Sequence, residues 1–165
     1  MSLVPVAHDA MDVYIAWLYS SGKAALQPID REGANDDSED VTDADKFEIF
    51  LLRCYHLACV FQDPNFMTDV IDTFFDHCIV EGLSGNVVCY AYDQYTFQMK
   101  RLVIMHTLSW AERSSNGLRD LLEDTPNAFA IDLDLERVSC GWAYLKRTEV
   151  MHELIGEIGG WWKKD

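Results

Sequence analysis

Apolar residues recur at helical spacing along most of the chain. The clearest run is Phe47, Phe50, Leu51, Cys54, Leu57, Ala58 and Phe61, which step by three and four and predict a long amphipathic helix. Asp63-Pro64 follows as a helix cap with proline in the first turn, where its missing N–H costs nothing. Met67, Val70, Ile71, Phe74 and Cys78 then form a second apolar face, so a short-linked helical hairpin is expected, ended by Gly82 and Gly85. Before it, Asp9 is placed to cap a helix reaching Ser20, with Val13, Trp17, Tyr14 and Leu18 turned inward and Gly22 ending the next turn.

The second half reads in the same way. After Ser84 the stretch "NVVCYAYDQYT" suits a short helix, and Met99, Leu102, Val103, His106 and Trp110 outline a longer one up to the "RSSNG" break. "AFAIDLDL" alternates as a half-buried strand would, but Thr125-Pro126 repeats the cap-then-proline signal and decides for helix, with Ile131, Leu135 and Val138 as its inner face. "EVMHELIGEIGGWWKKD" predicts a last helix weakened by Gly156, ended by Gly159-Gly160 and followed by Trp161 and Trp162. The expected architecture is all-α, a compact single domain over 1–165 with about six to seven helices. Trp17, Leu18, Leu51, Cys54, Leu57, Val70, Ile71 and Phe74 are its expected central cluster.

Charge narrows the function. With 28 acids against 13 bases the net charge is -15, which opposes binding to phosphate backbones and anionic lipid surfaces, so neither direct nucleic-acid binding nor membrane association is expected. Eight acids and one Arg fall between Asp30 and Asp45, and this segment reads as a solvated loop. No apolar run is long enough for a membrane span, and no basic-led apolar segment marks a signal peptide. The opening Met-Ser-Leu reads either as a natural start or as a cloning scar on a chain that began upstream. Five scattered cysteines (54, 59, 78, 89 and 140) fit thiols in a reducing compartment, which places the protein inside the cell, in cytoplasm or nucleus.

Candidate chemistry is thin. Cys54, His56 and Cys59 are close in sequence, but at about 100° per residue they point in divergent directions from one helix and do not converge on a metal. Asp36, Ser38, Asp40 and Thr42 alternate like a calcium loop, yet Val41 and Phe47 stand where an EF-hand needs Gly and Glu. Asp132 and Asp134 diverge on a helix and share a face only on a strand. His106 reads as a core histidine. The motifs of nucleophilic, phosphate-cradling and redox sites are all missing, so no catalytic, cofactor-binding or metal-binding residue is assigned. Large aromatics near the chain ends, Tyr14, Trp17, Tyr19, Trp161 and Trp162, are the residues assigned to partner binding, with Trp161 and Trp162 either an exposed anchor or folded back on the core.

The order of these elements resembles the BTB/POZ-domain proteins of filamentous fungi. The matching pieces are "VYIAWLYSSGK", similar to the family's Trp-Leu-Tyr-Thr-Gly-like helix, the acidic insertion at 30–45, and the two-helix unit "FEIFLLRCYHLACVFQDPNFMTDVIDTFFDHCI". "VVCYAYDQYT" is similar to the family's Val-Tyr-Glu-Asn-Thr-like segment, and "LRDLLED" with "TPNAFAIDLDLERV" to its helical tail. The resemblance implies the second half of a BTB fold over 8–81, joined to a C-terminal helical extension over 84–165. The Asp and the Phe-x-x-His segment that precede this region in the family have no counterpart here. The resemblance further implies a non-enzymatic adaptor or scaffold that binds another protein, or itself, through an open apolar face, with a cullin-type ubiquitin-ligase scaffold among the partners to test. The competing expectations are a small enzyme with dispersed active-site residues and a helical regulatory or effector-like protein unrelated to BTB.

Overall fold

The computed structural model describes residues 8–20, 22–26, 41–78, 82–94, 96–111, 115–139 and 154. Over these residues the chain is all-α, as its periodicity predicts. It forms α1 (His8–Tyr19), α2 (Asp43–Phe61), α3 (Pro64–Cys78), α4 (Gly85–Asp93), α5 (Phe97–Ala111), α6 (Ser115–Glu123) and α7 (Asn127–Ser139), with a 3-10 turn at Gly22–Leu26 after α1. None of the described helices is long and apolar enough to cross a membrane. The predicted last helix and Trp161 and Trp162 lie outside the described residues, except for Leu154, which is helical and buried.

Capping chemistry sets the start of α2, four residues before the apolar run. The Thr42 hydroxyl accepts from the Asp45 N–H and the Asp45 carboxylate accepts from the Thr42 N–H, both at 3.1 Å, which satisfies two first-turn donors reciprocally. The end of the acidic segment, read as loop from sequence, is therefore the first turn of this helix, and Asp45 itself is buried. Residues 30–40 lie outside the described residues.

The α2–α3 hairpin turns at Gln62 and Asp63. Gln62 adopts a left-handed conformation, φ 57°, and Asp63 donates its N–H to the Ala58 carbonyl, closing α2. Asp63 Oδ1 then accepts from the N–H groups of Asn65 and Phe66 at 3.0 and 3.1 Å, capping α3 as Asp63-Pro64 predicts. A left-handed glutamine carries a penalty that glycine avoids, only partly offset by the greater freedom of an unfolded glycine. Gln62→Gly should therefore raise stability by about 0.5–1 kcal/mol, read as a higher urea midpoint at unchanged slope.

α5 occupies the middle of the structure. Its Met99, Leu102, Val103, Ile104, Met105, His106, Leu108 and Trp110 are buried, covering every side of the helix, whereas the sequence reading found a single face. It packs against α2, α4, α6 and α7. His106 lies in the core as expected, edge-on to Phe74 and Phe75 with ring centres 5.6 and 4.8 Å away. The "RSSNG" break is shorter than expected, because Ser115 to Gly117 already belong to α6.

Two expected faces are corrected. Leu51, Cys54, Leu57, Val70, Ile71 and Phe74 are fully buried and Trp17 packs on them, but Leu18 is half exposed. The inner stripe of α1 runs Ala10, Val13, Tyr14, Trp17, and Leu18 falls about 80° around the helix from Ala10. On α7, Ile131, Leu135 and Val138 face solvent while Phe129 and Leu133 are buried on the opposite side. Phe129 is the largest apolar side chain of that helix, and seating it edge-on to Tyr92 sets the helix rotation.

Candidate functional site

The aromatic residues assigned to partner binding separate into two environments. Tyr14 donates its hydroxyl hydrogen to Asp63 at 3.1 Å, stacks on Trp17 and meets Phe61 and Phe66 at about 5 Å between ring centres. Trp17 donates its indole N–H to Asp69 at 2.8 Å and packs against Phe66. Their polar ends are thus occupied in bracing α1 against the hairpin, and burial, followed by the Asp63 carboxylate, pushes the Tyr14 hydroxyl pKa up. Tyr19, on the outer side of α1, is 88% exposed. Trp161 and Trp162 lie outside the described residues.

A groove between α5 and α7 is the feature that the sequence reading missed. Phe97, Lys100, Arg101 and Ile104 line it from α5, and Asp132, Leu135 and Glu136 from α7, around a volume of about 420 Å³. Phe97 stands at its edge, and Ile131, Leu135 and Val138 continue its α7 wall outward; these four side chains are between 55% and 64% exposed. Single exposed apolar residues are ordinary, but a row at helical spacing beside a groove is not.

The polar groups in the groove engage one another. Arg101 pairs with Glu136, Tyr92 donates to Asp132 at 2.9 Å, and the Lys100 ammonium sits over the Tyr92 ring at 4.6 Å. Burial first, and then Asp132, pushes the Tyr92 hydroxyl well above its ordinary pKa, so it remains a donor. Asp132 and Asp134 diverge as helical spacing requires, Asp132 accepting from Tyr92 while Asp134 is exposed. The signal for the groove was in the sequence, since α7 carries apolar residues on two opposite sides. Only one of those sides can enter the core.

Nucleophilic chemistry finds little support in the described cysteines. Burial pushes the thiol pKa of Cys59 up to about 12 and those of Cys54 and Cys78 further, the latter with help from Glu48, so these thiols stay protonated. Cys54, His56 and Cys59 do not converge, and among the described residues no three metal-ligating side chains come together. Asp45 is different: burial opposes its charge, but hydrogen bonds from Ser84, Asn86 and Thr42 outweigh that and hold its carboxyl below the usual range. This ties the start of α2 to the start of α4.

His56 is half-buried, and loss of hydration lowers its pKa below 6.5. The unfolded chain then binds a proton that the folded chain refuses, so His56 favours unfolding as pH falls below 6.5 and has no such effect above it. His56→Gln should lose less stability than the parent between neutral and mildly acidic pH, measured as the shift in urea midpoint.

No family model, no curated protein and no solved structure matches this chain.

Proposed function

We propose that this protein is a non-enzymatic interaction domain, a BTB-related adaptor or scaffold, that binds another protein through the α5–α7 surface. The observation that carries the reading is the exposed apolar row of Ile131, Leu135 and Val138, continuous with a groove whose other wall bears the exposed Phe97. Helices expose such rows in water at a cost unless a partner covers them. The mutual pairing of Arg101 with Glu136, Tyr92 with Asp132 and Lys100 with Tyr92 also favours binding over catalysis, because the groove's charged groups are engaged with one another. The BTB relationship rests on the resemblance in helix order, and it makes a cullin-type scaffold a partner to test.

The test compares the parent chain with Ile131→Ser/Leu135→Ser as baits in cells, followed by direct titration of a purified cullin-type scaffold. The variant should keep its circular dichroism spectrum and melting temperature but lose at least one partner that the parent retains. Identical partner sets would overturn the assignment of this surface. Saturation by the cullin-type scaffold, abolished in the variant, would identify one partner.

A further inference from the structure

We draw no further inference here: the strongest candidate, the apolar groove between α5 and α7, has a charged lining in which Lys100 and Arg101 are balanced by Asp132 and Glu136, and nothing in the structure shows what covers it.

Discussion

Gly82→Ala should destabilise the protein by about 2–5 kcal/mol, combining about 1–2 kcal/mol for an L-residue in the left-handed region with about 1–3 kcal/mol for overpacking. Gly82 has φ +78°, and a Cβ built on it would lie 2.6 Å from the buried Trp110 indole of α5. Its N–H also bonds to the Cys78 carbonyl at 3.1 Å, so the backbone there is tied to the end of α3. The glycine therefore joins two requirements, a backbone turn and a close approach. Guanidinium denaturation of G82A, W110L and the double variant separates them. The double variant should be less destabilised than the sum of the single ones by about 1 kcal/mol or more, because a leucine leaves room for the added methyl. Strict additivity would mean that the conformational penalty acts alone.

Phe129→Ala should cost about 3–5 kcal/mol and release α7 from the core. Phe129 is fully buried and meets the Tyr92 ring edge-on at 5.7 Å between ring centres, and with Leu133 it is the apolar attachment of α7. Beside it lie the Tyr92–Asp132 hydrogen bond and the Arg101–Glu136 pair, which would lose their alignment if the helix tilted. Ile131→Ser/Leu135→Ser changes the other side of the same helix and should alter stability by no more than about 0.5 kcal/mol per site, since those side chains are already mostly in water. Thermal melts of the two variants thus test the rotation of α7 directly. A double-serine variant as damaged as F129A would place the exposed row in the core after all.

Much of the fold was legible because local chemistry and tertiary packing agree. Asp63-Pro64 marks a helix start, and its carboxylate caps α3. Thr125-Pro126 points to helix in a stretch whose alternation points the other way, and α7 does form from Asn127, but Thr125 Oγ1 is buried without a hydrogen-bond partner, so the expected threonine cap is not made. The boundary of α2 was missed by four residues because the reading followed apolar periodicity, while Thr42 and Asp45 start the helix by hydrogen bonding. Large aromatics near the chain ends are the sequence's candidates for partner binding. Tyr14 and Trp17 instead use their polar atoms on Asp63 and Asp69, a pairing across about 50 residues that no local pattern encodes.

By itself the sequence determined the helical class, the α2–α3 hairpin, the fully buried face of Leu51, Cys54, Leu57, Val70, Ile71 and Phe74, and the strong negative charge. Each of these depends on neighbours within a few turns, where 3.6-residue geometry and capping govern. Tertiary structure decided that α5 is buried on every side from Leu102 to Leu108, that Leu18 turns outward, and that α7 seats Phe129 while leaving Ile131, Leu135 and Val138 in water. The physical reason is that a helix with apolar residues on two sides has two rotations of similar local merit. Which one is taken depends on the fit of Phe129 against Tyr92 and on the polar partners that Asp132 and Glu136 find on neighbouring helices.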